Sequence, residues 1–447
     1  MSRHRFGVLA PLIAAAVLAT AVAGDAAAPL LSADDAATAS AVAVAQALDV
    51  DAVSIYQTGE LTTPIRDAAL AAAATAGAPA VVTRGFSIGL IRVRRGATIV
   101  QQSTGQGWAF PMSVSAVPLE AIASVMGRSV SGPISQAQIV MSQTSASLRG
   151  AQQGDIVDLL ATNGGTVSFM IGRIATDEEV GGTEIVMSPQ MADMLGANIT
   201  TRVLIYGQMS RTAVNNALAA RGLLTNSKVR VRRSWDPADP DNTLGMGRTK
   251  SLLGEFDIDY AHLSTNGWTA MGAAWKAAHL PSARETYPTG IRAMCNYAIK
   301  ADLIAALQEV VSSNLGGYID VTNTNSYGGC SIGMARFARI TQNLGSVSRH
   351  SWGQPIDMNT VTNCQGCVPE MDCRIVRIFR KHNFAWGGNF LTADGMHFEW
   401  VGERRDQLQY PSKYCANLAI AQVESMNLPP PPTNRATLFA DDGWMGE

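Results

Sequence analysis

Two stretches decide how this chain reads: Ser348-Arg349-His350-Ser351-Trp352-Gly353-Gln354-Pro355-Ile356-Asp357 and Trp386-Gly387-Gly388-Asn389-Phe390-Leu391-Thr392-Ala393-Asp394-Gly395-Met396-His397-Phe398-Glu399. Zinc favours imidazole and carboxylate ligands, and a catalytic site keeps three protein ligands so that water can take the fourth position. His350, Asp357 and His397 can supply that set. Their spacing is not that of H-E-x-x-H, in which one helix face carries both histidines. Gly353 and Pro355 between His350 and Asp357 predict a segment that doubles back through a turn. Asp394 and His397, three apart, would face opposite sides of a straight strand, so a bend at Gly395 is expected to bring both into one cleft. One would then bind metal and the other handle protons. The residues alone leave this reading level with a bland one, in which the histidines are satisfied core or surface groups.

A resemblance tips the balance. The first stretch resembles the S-x-H-x-x-G-x-[A]-x-D signature of the zinc D-alanyl-D-alanine carboxypeptidase family, which includes vancomycin-resistance carboxypeptidases and dipeptidases and phage L-alanyl-D-glutamate endolysins. Ser348, His350, Gly353 and Asp357 match, and Pro355 stands where the family has Ala. The second stretch resembles the family's W-G-G-[D]-W-x-x-x-x-D-x-x-H-F. Trp386, Gly387, Gly388, Asp394, His397 and Phe398 match, while Asn389 and Phe390 replace an acidic residue and Trp. The resemblance spans about residues 285–418 and is silent on residues 24–210. It implies Zn2+ held by His350, Asp357 and His397, with Asp394 as general acid/base. It also implies a cation near the developing oxyanion, for which Arg336 fits best and Arg339 is the alternative. Ser348 is a candidate to orient an imidazole. The implied activity is hydrolysis of peptidoglycan stem peptides, as a D,D-carboxypeptidase or an L-Ala-D-Glu-type endopeptidase. The alternative is a non-catalytic wall-binding or scaffold protein that retains a peptidase-like fold.

The implied fold class is α+β. A C-terminal zinc peptidase domain over 251–418, with a small antiparallel sheet flanked by helices, follows a separate strand-rich domain over 46–210. Residues 211–250 read as a linker region and 419–447 as a disordered Pro-rich tail. Within 251–418, helices are expected at Ala301–Ser312 and Pro369–Lys381. The second should bury Met371, Ile375, Ile378 and Phe379 and point Arg374, Arg377 and Arg380 elsewhere. Strands are expected at Gly317–Val321, Pro355–Met358 and His397–Val401. In the first domain they are expected at Ser87–Val93, Ala97–Gln102, Gln138–Met141, Val167–Ile174, Glu184–Met187 and Val203–Tyr206. A helix opens at Ser188 with Pro189 at its first position and Met191, Met194 and Leu195 on its apolar side. Another covers Thr212–Ala220, and Lys228–Arg233 reads as an edge strand. Trp352 and Trp386 fit a cleft wall and the core equally well, and His262, His279 and His382 read as structural.

All six cysteines lie at or beyond Cys295. Cys364-x-x-Cys367 has no second C-x-x-C to complete a structural zinc site, so three disulfides are expected, with Cys295–Cys415 as the first guess. Residues 1–23 read as a signal peptide cleaved near Ala23, or as a membrane anchor, and 24–45 as a flexible lead-in. Both readings place the folded part outside the cytoplasm, and with the resemblance they imply a secreted or extracellular, wall-associated protein. With 34 basic and 36 acidic residues in 447, there is no electrostatic case for a nucleic-acid or anionic-membrane partner. Peptidoglycan peptides are the partner implied, and the oligomeric state stays open.

Overall fold

The computed structural model describes residues 50–322, 329–338 and 345–417, all within one compact unit, Ala45–Glu447. The expected signal peptide, lead-in and tail lie outside the described residues, as does Arg339. Among the described residues, no helix is long and apolar enough to cross a membrane.

The N-terminal part is built on strands β1 (Asp51–Tyr56), β2 (Ala80–Arg95), β3 (Thr98–Gln102), β4 (Trp108–Ala116), β5 (Ile139–Ser142), β6 (Ile156–Leu160), β7 (Thr166–Ala175), β8 (Ile185–Met187), β9 (Arg202–Gly207), β10 (Arg230–Arg233) and β11 (Ile258–Asp259). They pair in the order β10-β1-β9-β2-β6-β7-β5-β8-β4-β11, with β3 added on β2. Because β2 also pairs with β4, six strands close on themselves: β2, β6, β7, β5, β8, β4 and back to β2. Alternate side chains of each strand point inward. Phe86, Ile88 and Leu90 of β2 therefore meet Met112 and Val114, Ile139 and Met141, and Val157 and Leu159 in one buried cluster. The unusual length of β2 lets it serve both this ring and the extension through β9 and β1.

Every strand expected in this part forms, and β10 takes the edge position next to β1. Ser188 accepts a hydrogen bond from the Met191 backbone at 3.3 Å and caps the helix Pro189–Met194. Met191 and Leu195 are buried as expected, but Met194 is 60% exposed. A helix of barely two turns covers only a narrow stripe, and Met194 falls outside it.

Residues 211–250 are packed into the fold. The helix Arg211–Ala220 buries Val214, Ala217 and Leu218. The helix Met246–Leu253 carries Lys250, which is buried with Glu184 and Arg149 beside the largely buried side chain of Glu255. Lys250 Nζ lies 3.0 Å from Glu184 and 3.3 Å from Glu255 and also donates to the Pro111 carbonyl. Asp241 is likewise buried and ion-paired with Arg380 at 2.5 Å. Asp and Lys read as turn and surface residues only until something pairs them.

Asp158 on β6 sits directly opposite Arg92 on β2. It accepts from Arg92, Arg94 and Ser168 at 2.5, 2.9 and 2.6 Å. Burial pushes this carboxyl up, but the three donors outweigh burial and bring it to about 2. An unfolded Asp titrates near about 3.9, so the native state binds the proton less readily. The stability this gives is complete above about pH 4 and is lost as pH falls towards about 2. Asp158→Asn is expected to lower the melting temperature at neutral pH, with the two proteins converging in acid. A gap independent of pH in a circular-dichroism melting series would refute this.

The remaining strands are β12 (Trp268–Thr269), β13 (Glu285–Thr286), β14 (Arg292–Ala293), β15 (Ala335–Ala338), β16 (Ser346–Val347), β17 (Pro355–Asp357), β18 (Phe384–Trp386) and β19 (His397–Trp400). The order β17-β19-β18 is a small antiparallel sheet. Helices Lys300–Ser312 and Cys373–Lys381 pack beside it, the second against β18. Met371, Ile375, Ile378 and Phe379 are buried as expected. Arg380 is a correction: it is 1% exposed because Asp241 waits for it in the interior. Gly317–Val321 is not a strand; Gly316–Tyr318 is a single 3-10 turn, as paired glycines with no cross-strand partner allow. Three disulfides form, but the partners are Cys295–Cys330, Cys364–Cys367 and Cys373–Cys415. The expected Cys295–Cys415 pair is thus incorrect. Cys415 meets the first turn of the helix that begins at Cys373, with the two Cα atoms 5.1 Å apart.

Candidate metal centre

Asp357 and His397 are direct cross-strand partners in β17 and β19, so their side chains leave the sheet on the same face. His350 reaches them from a 3-10 turn, Arg349–Trp352, capped by the Ser348 hydroxyl, which accepts from the His350 backbone at 3.2 Å. Gly353, at φ 63°, adopts the left-handed conformation that turns the chain from that helix into β17. Ser348 therefore positions the backbone of His350, and the imidazole is held by the Cys330 carbonyl, 2.8 Å from Nδ1. A carbonyl can only accept, so Nδ1 carries the proton and Nε2 is left as the ligating atom.

That Nε2 lies 3.3 Å from His397 Nδ1 and 3.3 Å from Asp357 Oδ2, and His397 Nδ1 is 3.2 Å from Asp357 Oδ1. Donors bound tetrahedrally at about 2.0–2.1 Å lie about 3.3–3.4 Å apart. The two histidine nitrogens have that spacing, and with one Asp357 oxygen added all three donor atoms lie within 4.8 Å of one another, so a small side-chain adjustment closes the set on a zinc ion. Asp357 Oδ1 is buried and, despite that 3.2 Å approach, makes no hydrogen bond. Asp357, His350 and His397 are the group able to hold a metal among the described residues. Burial alone would push the Asp357 carboxyl up, yet the two imidazoles hold it well below the ordinary carboxylate value. A ligand that stays ionised is what a divalent cation requires.

The sequence reading missed Glu399. It lies two residues beyond His397 on the same strand and hence on the same face. Its carboxylate faces His397 Nε2 at 3.5 Å and accepts from Gln354 at 3.1 Å. The i, i+2 spacing on a strand was the available signal. A carboxylate behind a ligating histidine fixes the ring and raises its basicity.

Asp394 is buried on the loop leading into β19, and its carbonyl accepts from the His397 backbone at 3.2 Å. The expected bend does not come from a left-handed Gly395. That glycine is demanded by crowding: a Cβ there would lie 2.8 Å from both the Asn363 side chain and Pro369. The Gly395 carbonyl accepts from the Trp386 indole at 2.9 Å, which anchors the loop between Asp394 and His397. Trp386 and Trp352 are both buried, so they belong to the core.

Arg336 lies on β15, where its carbonyl accepts from the Ser348 backbone at 2.8 Å and its own N–H donates to Ser351 at 3.1 Å. Its backbone is thus tied to the turn carrying His350, while its guanidinium rests 5.4 Å from the Trp268 ring centroid. The other described histidines have partners of their own. His262 pairs with Asp259, His279 stacks on Trp275 and His382 contacts Glu309.

Asn389, one of the departures from the family pattern, has a local explanation. Its amide donates to Asp241 at 2.8 Å and to the Tyr414 carbonyl at 3.0 Å. An acidic residue there would set a second carboxylate against buried Asp241.

Residues 341–400 match the family described as D-alanyl-D-alanine carboxypeptidase, a stretch that includes the three candidate ligands and Asp394. This supports the family broadly and marks the C-terminal part as peptidase-like. No curated protein matches the chain. Among solved structures, the extracellular domain of the noncanonic ABC-type transporter YknZ from Gram-positive bacteria is similar at 10% identity and a TM-score of 0.25, covering 40% of this chain and 99% of that one.

Proposed function

We propose that this protein is a secreted, wall-associated zinc metallopeptidase that hydrolyses peptide bonds in the stem peptides of peptidoglycan. The observation that carries the reading is the convergence of one donor atom each from His350, Asp357 and His397 within 4.8 Å of one another, inside the stretch that matches the peptidase family.

His350, Asp357 and His397 would hold the ion. When bound, zinc supplies Lewis acidity and lowers the pKa of a coordinated water from about 15.7 towards 7. The chain's own residues do the rest. Asp394 takes a proton from water as it adds to the scissile carbonyl and gives it to the leaving amine as the C–N bond breaks. Its placement one turn before His397 supports that role. Arg336 is the cation assigned to the oxyanion, a role that calls for a fixed positive charge beside the reacting carbonyl. Glu399 and the Cys330 carbonyl keep both imidazoles aimed.

The test is digestion of purified peptidoglycan followed by mass spectrometry of the products, intact protein against Asp394→Ala. New stem-peptide fragments are expected from the intact protein only, with a loss of at least about 100-fold in the variant. Identical product profiles would sink the catalytic reading and leave a wall-binding scaffold.

A further inference from the structure

A second cleft, of about 350 Å³, opens where edge strand β10 meets the loop 388–393. Its volume lies at the small end of ligand sites, about 300–1,000 Å³. Among the described residues lining it, the charged ones are Arg230, Arg233 and Lys413, all cations. Arg233 is neutralised by Asp236 at 3.3 Å. Arg230 and Lys413 have no carboxylate partner among the described residues. Arg230 spends one N–H on the Asn389 carbonyl at 2.5 Å, and Lys413 lies over the Tyr414 ring. The wall of the cleft nearest the metal ligands is Phe390, whose ring centroid is 5.8 Å from that of His397. A single side chain therefore separates this cationic cleft from the candidate metal centre.

Two elements outside the matched stretch build it. Strand β10 brings Arg230 from the N-terminal part. The segment with Lys413 and Tyr414 is fixed by the Cys373–Cys415 disulfide and by a hydrogen bond from the Tyr414 backbone to Asn389 at 2.9 Å. Cations without anionic partners, arranged around a half-enclosed space, select a carboxylate, and an arginine can bind one with two parallel hydrogen bonds.

We propose that this cleft is a subsite that receives a free carboxylate of the peptide being cut, and that Arg230 and Lys413 set the specificity for acidic substrates. The proposal rests on the peptidase reading for the identity of its ligand but not for the binding itself. Calorimetry on the His350→Ala protein, which removes a metal ligand, separates the two. The probes are the pentapeptide L-Ala-γ-D-Glu-L-Lys-D-Ala-D-Ala, its two singly amidated forms and its doubly amidated form. The free acid is expected to bind about tenfold more tightly than the doubly amidated peptide, as one charge-assisted contact provides. The singly amidated forms identify which carboxylate is read. Adding Lys413→Gln, an exposed position, or Arg230→Gln should erase most of that preference, while either change made in the intact chain leaves zinc content unaltered. Equal affinity for free and amidated peptides, no binding of either, or a preference that survives both substitutions would each overturn the subsite. If the unmodified, zinc-loaded chain cleaves none of these peptides while the His350→Ala protein still prefers the free acid, the catalytic reading falls and the subsite stands.

Discussion

His397→Ala is expected to reduce zinc affinity by more than about 100-fold, beyond the loss of about 10–100-fold that follows removal of a group behind a ligand. Three contributions add. The substitution deletes one of three donors at a site where the other two cannot close up, because Asp357 is fixed in β17 and His350 in its capped turn. It also removes the ring between two buried carboxylates, Asp357 at 3.2 Å and Glu399 at 3.5 Å, leaving both without that neighbour. Finally, it removes the side chain that faces Asp357 across the small sheet. Glu399→Gln provides the graded comparison: it keeps every donor and should fall within the milder range. Competition with a chromophoric chelator measures both. Stoichiometric, tight zinc in His397→Ala would overturn the ligand assignment, and indistinguishable affinities for the two variants would show that His397 is not a ligand.

Lys250→Met is expected to destabilise the protein by about 3–5 kcal/mol, the usual result of removing one partner from a buried ion pair. Lys250 and Arg149 together balance Glu184 and Glu255 in a region closed to water. Burial would raise the Glu255 carboxyl, but Arg149 and Lys250 overcome it and hold this group ionised. Without Lys250, one negative charge has no counterpart, and the Pro111 carbonyl and Glu184 both lose a donor. The double change Lys250→Met with Glu184→Gln restores charge balance and should recover part of the loss, because coupled sites are not additive. Denaturant unfolding decides the matter. A Lys250→Met midpoint equal to that of the unmodified chain would show the network to be energetically neutral.

The candidate ligands His350, Asp357 and His397, which the fold brings together, were legible in the sequence through the resemblance of two stretches occurring in the right order; the residue types alone left the choice even. Strands such as Val203–Tyr206 and Glu184–Met187 were legible because β-branched runs bounded by glycine leave few other choices. What escaped was set by partners distant in the chain. Arg380 read as a surface residue of an amphipathic helix until Asp241, 139 positions earlier, paired with it in the interior. Glu399 read as an ordinary strand residue until its pleat placed it behind His397. The disulfide pairing depended on which loops meet, which cysteine count cannot say. The six-strand ring depended on β2 pairing with both β4 and β6, a closure that no local pattern encodes.

One buried carboxylate carries a wider meaning. Asp241 receives Arg380 from the helix Cys373–Lys381, the Trp386 backbone from β18 and the Asn389 amide from the loop before Asp394. It comes from a stretch of chain a hundred residues upstream of the part that matches the peptidase family. The stretch that matches the peptidase family therefore depends on a carboxylate from outside it. A fragment cut at the family boundary would leave an arginine uncompensated in its interior and its signature loop untied.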